Sequence, residues 1–310
     1  MAPENAATIP ASCHHELFDK DRAPVLRIEP GGVVAFETLD ACFDEVRSVE
    51  DLEAHRRRRK PLGNPITGPV YIEQATPGRT LIVDVLDIRL NETGFQLLGP
   101  NRGVIRDEEA DWTCYALRVE GDDLVFPNGI RLPVDPIIGT MGNAPAGAPT
   151  SAPNRLGGNM DVPALKVGTR VHLPIDVPGG LFSLGDVHAR QGDGEVVGAP
   201  EFGARVSVRL DVVDRPWSAW PLIEDGDKWH VVTCAATEAE AARIGVLEAA
   251  RFLTKSHDIP RTDALFLLTM AVELHCARTG AWGGLEPVVC TSFPKRLVEY
   301  AALGRDRGDS

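Results

Sequence analysis

The sequence predicts an α+β protein that is predominantly β, with a β-sandwich or barrel-like core and C-terminal helices packed on it. Short β-branched runs alternate with glycine-containing turns over the first two thirds of the chain. Glycine and proline account for 30 and 24 of the 310 residues, whereas aromatic residues make up only 6%. Apolar residues adopt helical spacing only after about residue 237. The sheet is therefore expected to precede the helices along the chain.

The β-rich part consists of short runs joined by tight turns. The runs VLRI at residues 25–28 and VVAFET at residues 33–38 flank the turn PGG, which predicts a hairpin. The same pattern returns at residues 68–88 and 165–175. Because the alternation in these runs buries one face, we expect them to form the walls of a sandwich or barrel.

Two helices are predicted near the C-terminal end. Residues 237–256 begin with a threonine N-cap and an acidic first turn, and residues 261–278 repeat the pattern with Gly280 as a stop. No low-complexity linker separates them from the strands. We expect residues 1–235 to form a β-rich catalytic core and residues 236–310 a helical part of the same unit.

Composition and charge exclude several classes of protein. Hydrophobic residues make up 43% and charged residues 25%, as in ordinary globular proteins, and the net charge of −13 argues against a nucleic-acid partner. The basic run RRRRK at residues 56–60 is interpreted as the solvated C-terminal end of a helix rather than a nucleic-acid patch. No signal peptide or apolar run of about 18 residues is present, so we expect a cytoplasmic protein without a membrane partner.

Common catalytic and metal-binding motifs are missing from the sequence. No GxSxG, HExxH, Walker lysine loop or GxGxxG pattern occurs in the required context. The six cysteines show no CxxC spacing, which indicates reduced and mostly buried thiols.

The segment GGLFSLGDVHARQGDGE at residues 179–195 is the main candidate for chemistry. We expect a loop, because its many glycines disfavour both a helix and an uninterrupted strand. Its histidine, His188, and its carboxylates suit a divalent ion such as Zn²⁺. By composition alone, exposed Asp-Gly turns with a satisfied loop histidine explain the segment equally well.

A second polar cluster, NRLGGNMD, ends at Asp161. This carboxylate either joins the same site or caps a local turn, and capping is favoured when the cluster is taken alone. Between the two clusters, residues 136–145 (PIIGTMGNAP) either supply backbone N–H groups to a developing oxyanion or form a packed strand and turn.

The N-terminal region offers further candidate ligands. His14 and His15 are adjacent, so both cannot easily face one way on a strand, and we favour His15 as a metal ligand. Glu37 and Asp40 close the second run and are either ligands or supports for ligands; a polar strand end is the competing interpretation.

Taken in order, VLRIEPGGVVAFETLDA, GPVYIEQATPGRTLIVDVLDI, PIIGTMGNAP, GGNMD and LPIDVPGGLFSLGDVHARQGDGE resemble the acetamidase/formamidase family, from about His15 to the final helices. The resemblance implies a zinc-dependent hydrolase of short amides that assembles as a homo-oligomer. The matching positions are His15, Glu37, Asp40, Asp161, Asp186, His188, Gln191, Asp193 and Glu195.

This chain departs from the family pattern near the expected cleft. The first turn has Gly32 where an aspartate is usual, Arg190 replaces a small residue, and the aromatic expected just after the N-terminal histidine appears as Phe18. These departures affect the identity of the substrate more than the type of reaction.

The working hypothesis is hydrolysis of short linear amides by metal-activated water. His188 is the principal ligand, and Asp161 and Asp186 are either carboxylate ligands or residues that orient the ligands. Glu195 is preferred over Asp193 as general base. The alternatives are a hydrolase of cyclic amides on the same scaffold, a non-catalytic metal-binding β protein, and a β-sandwich that serves only in protein interactions.

Overall fold

The computed structural model describes residues 6–59, 63–100, 102–105, 111–145, 147–214, 218–280 and 285–298. Within these ranges the protein is mostly β, with 19 strands in one curled sheet and two in a small separate one. The strands are β1 (Ala7–Ile9), β2 (His14–His15), β3 (Leu17–Phe18), β4 (Leu26–Ile28), β5 (Gly32–Thr38), β6 (Ile66–Ile72), β7 (Thr80–Leu98), β8 (Thr113–Glu120), β9 (Asp123–Val125), β10 (Arg131–Pro133), β11 (Ile137–Gly142), β12 (Ala148–Pro149), β13 (Pro153–Asn154), β14 (Gly157–Asn159), β15 (Arg170–Pro174), β16 (Phe182–His188), β17 (Glu201–Val213), β18 (Leu222–Glu224), β19 (Lys228–Cys234), β20 (Glu273–Arg278) and β21 (Val288–Pro294). The α-helices are α1 (Val49–Arg58), α2 (Glu238–His257) and α3 (Arg261–Ala271).

The long strand β17 organises the sheet. It pairs antiparallel with β7 along nearly its whole length and with β5 on its other side. Its alternating side chains Val206, Val208 and Leu210 are fully buried and join the largest apolar cluster. Because β-branched and leucine side chains cover one face of a pleated strand well, this pattern favours a curled sheet around a common core. The predicted β-rich fold is confirmed.

The helices behave largely as the sequence predicts. Helix α2 begins after Thr237, whose side chain accepts a hydrogen bond from the Glu240 amide, and its apolar face packs with α3 against β19 and β21. Helix α1 ends in a cluster of basic residues, as predicted for the run at residues 56–60; Lys60 lies outside the described residues. Among the described helices, none has both the length and the apolar composition needed to span a membrane.

The second predicted C-terminal helix is too long. Helix α3 stops at Ala271, and residues 273–278 form β20, which pairs with β21. On that side, the backbone N–H and C=O groups of β21 need hydrogen-bonding partners. The hydrogen bonds that β20 forms with them outweigh the weak helical preference of the sequence ELHCAR. The C-terminal part therefore contributes strands as well as helices.

The predicted N-terminal hairpin is also wrong, although both of its strands exist. Strand β4 runs parallel to β6, whereas β5 pairs with β1 and β17. A strand that is flanked on both sides satisfies all of its backbone groups and buries more apolar surface than a two-stranded ribbon. Long-range pairing therefore replaces the local turn.

The core should be sensitive to truncation on β15. Leu173 is fully buried in the main apolar cluster, so Leu173→Ala is expected to lower the free energy of unfolding by about 2–5 kcal/mol in urea denaturation. The matched control Leu132→Ala, on β10 at 48% exposure, should change it by less than about 0.5 kcal/mol. Similar losses for both variants would contradict this placement of the core.

Candidate metal and catalytic site

Strand β16 carries two of the candidate residues on one face. Asp186 and His188 are two positions apart, and side chains alternate along a strand. The predicted loop over residues 179–195 is wrong for Phe182–His188, where every residue is buried in a strand. Strands β11, β6 and β17 provide hydrogen-bonding partners for β16, and this pairing outweighs the turn preference of its glycine.

The backbone at Gly139 brings Asp161 to the same place. The carbonyl oxygen of Gly139 accepts hydrogen bonds from the amides of Met160 and Asp161, at 2.9 and 3.1 Å. A Cβ at Gly139 would lie only 2.6 Å from Asp161 Oδ1 and 3.0 Å from Asp186 Oδ2. The missing side chain on β11 therefore makes room for the two carboxylates. Residues 137–142 form a fully buried strand, which agrees with the second of the two interpretations offered for that segment.

Asp161, Asp186 and His188 form a compact group. Each offers one ligand atom, and these atoms all lie within 4.8 Å of one another. All three side chains are at most 2% exposed. The structure thus unites three of the residues that the sequence nominated as metal ligands.

The two oxygens of Asp186 have different surroundings. Oδ2 accepts hydrogen bonds from Asn64 Nδ2 at 2.5 Å and from Thr140 Oγ1 at 2.9 Å. Oδ1 is buried, lies 3.6 Å from His188 Nε2, and accepts no hydrogen bond from the described residues. Although burial acts to raise its pKa, the His188 ring and the two donors outweigh burial and hold the pKa of Asp186 below its ordinary value.

A hydrogen bond donated to Gln191 fixes the orientation of His188. His188 Nδ1 lies 2.8 Å from Gln191 Oε1, an acceptor, so Nδ1 carries the proton and Nε2 points its lone pair into the site. Gln191 is itself held through its Nε2, which donates to the Asp161 carbonyl. In the absence of a cation, burial opposes protonation, but Glu201 and Asp186 outweigh it and raise the pKa of His188.

Asp161 is flanked by donors on the opposite side. Arg278 Nη1 lies 3.3 Å from Asp161 Oδ2, and both side chains are 2% exposed. The side-chain amide of Asn159 is oriented with its nitrogen toward the carboxylates, so the nitrogen donates hydrogen bonds to Asp161 and Asp186. Its oxygen accepts a hydrogen bond from Arg278 Nη1. Burial nevertheless raises the pKa of Asp161 to about 6.

Two glutamates complete the polar wall. Glu195 is buried and the Glu201 side chain is 16% exposed, and one oxygen of each, Oε2, is buried and forms no hydrogen bond with the described residues. Burial, followed by the charge of Asp161, raises the pKa of Glu195 well above its ordinary value. Burial, followed by the charge of Asp186, raises the pKa of Glu201 to about 8. The loop that carries Glu195 is tied to β20 by backbone bonds between Gly194 and both Ala277 and Thr279.

Three of the acidic residues have left-handed backbone conformations. The φ angles are 49° at Asp161, 58° at Asp186 and 41° at Glu195. Side chains other than glycine rarely adopt this region, and such strain persists where surrounding contacts over-determine it, often at functional sites. The fold therefore holds these carboxylates in place at a conformational cost.

The group opens into a cavity of about 620 Å³. Asn64, Asn159, Glu195, Glu201 and Arg278 line it together with the three clustered residues. A ligand that enters this cavity would therefore meet a carboxylate-rich floor.

The other nominated residues lie outside the cluster. The ring of His15 contacts the Leu17 carbonyl and Ser183 Oγ, at 2.8 and 3.0 Å. Asp40 is buried in a turn, where it accepts from two backbone amides and from Arg47. Glu37 is exposed on β5, and Asp193 is exposed and forms an ion pair with His275 at 3.1 Å.

Sequence reasoning did not assign roles to four polar residues of the site: Asn64, Thr140, Glu201 and Arg278. Arg278 fell inside the helix predicted over residues 261–278, which hid its position on a strand. Glu201 opens β17 shortly after Glu195, and its acidic side chain at a strand end was the available signal.

The sequence matches the profile of the Acetamidase/Formamidase family over residues 3–148 and 140–220. An acetamidase from Mycolicibacterium smegmatis is 34% identical over 269 residues, 64% of this chain and 66% of that protein. A formamidase from Methylophilus methylotrophus is 23% identical over 259 residues, 64% of each. The chain thus spans slightly less than two thirds of the length of these curated relatives.

Solved structures agree with the sequence comparison. The crystal structure of an acetamidase from Bacillus halodurans superposes with a TM-score of 0.89 at 28% identity, covering 96% of this chain and 100% of that one. A gamma lactamase from Delftia acidovorans shares the fold with a TM-score of 0.63 at 20% identity, covering 95% of this chain and 91% of that one. Because the family profile covers well over half of the sequence, this chain belongs to the Acetamidase/Formamidase family.

The buried His15 should make stability depend on pH. Burial, with a smaller contribution from Arg22, lowers its pKa from 6.5 to about 4. The unfolded chain therefore takes up a proton between these values while the folded protein does not. The stability due to neutral His15 is complete above pH 6.5 and declines as the pH falls toward 4.

In His15→Gln, the loss of unfolding free energy between pH 7 and pH 4.5 should be smaller than in the parent by about 2 kcal/mol, measured by urea denaturation at each pH. His257→Gln, at an exposed histidine, provides the control. Equal slopes for the parent and His15→Gln would contradict the prediction.

Proposed function

We propose that this protein hydrolyses the C–N bond of short linear amides, of which formamide and acetamide are the simplest, with the help of a divalent metal. The observation that carries the proposal is the convergence of Asp161, Asp186 and His188 in a buried cavity. Membership of the family and similarity to proteins named acetamidase and formamidase support the same reaction.

The residues of the cluster suit a divalent cation. Asp186 Oδ1 is a buried anionic oxygen without a hydrogen bond from the described residues, and His188 Nε2 faces it as a neutral ligand atom. One nitrogen and two carboxylate ligands match catalytic zinc sites, which keep a further position open. We therefore assign Asp161, Asp186 and His188 as ligands of Zn²⁺.

When bound there, the metal would polarise the amide carbonyl and lower the pKa of a water molecule toward neutrality. We assign Glu195 as the group that takes a proton from the attacking water, because its carboxyl is buried on the cavity wall with one oxygen unsatisfied. Glu201 lies 3.5 Å from His188 Nε2, the proposed ligand atom, and therefore borders the position of the metal rather than that of the attacking water.

Glu195 also serves in the second half of the reaction. Water adds to the carbonyl carbon, the proton held on Glu195 passes to the amide nitrogen, and the C–N bond breaks to leave a carboxylic acid and ammonia. The acid then gives its proton to ammonia, so the released products are a carboxylate and an ammonium ion. An amine leaves only after protonation, so one residue that both accepts and donates this proton is sufficient. Arg278 holds the Asp161 carboxylate throughout.

Asp186→Asn is the direct test of the ligand set. The variant keeps the shape of the side chain but removes its charge, so we expect it to retain less than about a tenth of the bound metal and to lose at least about 100-fold in kcat/KM for acetamide. Elemental analysis and ammonia release measure the two effects. The exposed Asp227→Asn serves as control and should change neither quantity.

A thermal readout separates metal loss from unfolding. Excess Zn²⁺ should raise the melting temperature of the metal-free parent, because a ligand that binds only the folded state stabilises it, and should not raise that of Asp186→Asn. Full metal content with unchanged activity in Asp186→Asn would overturn the proposal. So would a metal-replete parent that releases ammonia from no amide.

Glu195→Gln tests the proton-transfer role. Glutamine is nearly isosteric but cannot accept the proton, so kcat should fall by about 10²–10⁴-fold while KM and metal content stay close to the parent values. Steady-state kinetics with acetamide and elemental analysis measure these quantities. Glu238→Gln, exposed in the first turn of α2, is the matched control. A smaller loss than that of Glu201→Gln would transfer the role to Glu201.

The proposal also includes a homo-oligomeric assembly, which the family resemblance implies. Static light scattering of the metal-replete protein would measure it. A monomer with full activity would remove this part of the proposal and leave the reaction in place.

A further inference from the structure

The cavity is much larger than formamide or acetamide requires. Its 620 Å³ corresponds to roughly twenty water molecules and lies within the range of pockets that bind drug-sized ligands. Formamide and acetamide would occupy only the carboxylate-rich end. As far as the described residues define the cavity, the remainder is open to water or to a further part of the substrate.

One wall leads from the reacting groups to an aromatic surface. Phe95 on β7 lies directly opposite Glu201 on β17, so these two side chains are neighbours on one face of the sheet. Leu97 follows on the same face of β7. Trp112 then covers Gly99, where an added Cβ would lie 2.5 Å from the indole ring. Phe95, Leu97 and Trp112 thus supply an apolar stretch of the cavity lining beyond the carboxylate of Glu201, bordered by the guanidinium of Arg102.

The facing wall comes from helix α1. Leu52 and Arg56 are four residues apart and share one face of the helix, and both line the cavity. The Arg56 guanidinium lies 3.8 Å from the centre of the Trp112 ring, and that of Arg102 lies 5.2 Å away. These contacts hold the indole in a fixed orientation. A rigid aromatic surface next to an open volume is well suited to receive a flat or branched apolar group.

We propose that the preferred substrates are primary amides whose acyl group ends in an aromatic or branched apolar group. That group would bind in the apolar subsite, formed by Ala41, Leu52, Phe95, Leu97 and Trp112. The inference rests on the proposed amide hydrolysis. Removing apolar surface from water is favourable, and even one methylene in an apolar pocket can change kcat/KM by about tenfold. Phenylacetamide should therefore be a better substrate than acetamide.

The test compares formamide, acetamide and phenylacetamide as substrates of the metal-replete protein, with ammonia release as the measurement. We expect kcat/KM to be at least about tenfold higher for phenylacetamide than for acetamide. Calorimetry with the metal-free protein provides a second measurement, in which phenylacetamide should bind at least about tenfold more tightly than acetamide.

Two variants alter the apolar subsite in opposite ways. Trp112→Ala removes its aromatic surface, and Ala41→Leu fills part of its volume. Each should lower kcat/KM for phenylacetamide by at least about tenfold and that for acetamide by less than about threefold. Tyr115→Ala is the matched aromatic control. Tyr115 lies on the face of β8 that points away from the cavity and is 45% exposed, so its substitution should change neither kcat/KM value.

The outcomes distinguish this inference from the function on which it rests. Ammonia release from acetamide without a preference for phenylacetamide, or a preference that survives both variants, would overturn the substrate class alone. Absence of ammonia release from every amide would overturn the proposed function and the substrate class together.

Discussion

The repulsion between buried carboxylates is the constraint on which the site depends. Asp161 and Asp186 have ligand atoms within 4.8 Å of each other and are almost fully buried. At that separation, two negative charges repel by about 3 kcal/mol even at an effective dielectric constant of 20. Among the described residues, Arg278 is in direct contact with Asp161, and His188 adjoins Asp186. These contacts leave Asp186 Oδ1 without a hydrogen bond from the described residues, and the proposed divalent cation would compensate this charge.

The sheet topology holds the two carboxylates close together. Pairing of β16 with β11 sets Asp186 opposite Gly139, the one position on β11 where an added Cβ would collide with both carboxylates. Donors from distant segments, Asn64 and Thr140, occupy one oxygen of Asp186 and leave the other facing His188. The left-handed backbone at Asp186 is held within the paired strand β16, and that at Asp161 is held by the hydrogen bond from its amide to the Gly139 carbonyl. Stability elsewhere in the sheet offsets the strain at the site.

Local patterns in the sequence predict the β-rich fold, the start of α2 and the closeness of Asp186 and His188, because each depends on neighbouring residues. The false hairpin and the overlong second helix fail for the opposite reason: β4, β5 and β20 are decided by partners far away in the sequence. For the same reason Asn64, Glu201 and Arg278 could not be assigned to the site, since no short motif connects them to Asp186. The resemblance supplied Gln191, whose hydrogen bond with His188 only the structure reveals.

Glu201 lies where the carboxylate-rich end of the cavity meets the apolar subsite. Its carboxyl lies beside His188, a proposed metal ligand, on one side and beside its cross-strand neighbour Phe95 on the other, and burial raises its pKa to about 8. An apolar acyl group placed against Phe95 would displace water from this boundary, and a drier site strengthens every electrostatic interaction within it. Binding of the distant group would then favour bond cleavage as well as affinity, because the transition state develops charge where the water has been removed. A small amide lacks that group and leaves the boundary hydrated, so the apolar subsite should act on kcat as well as on KM.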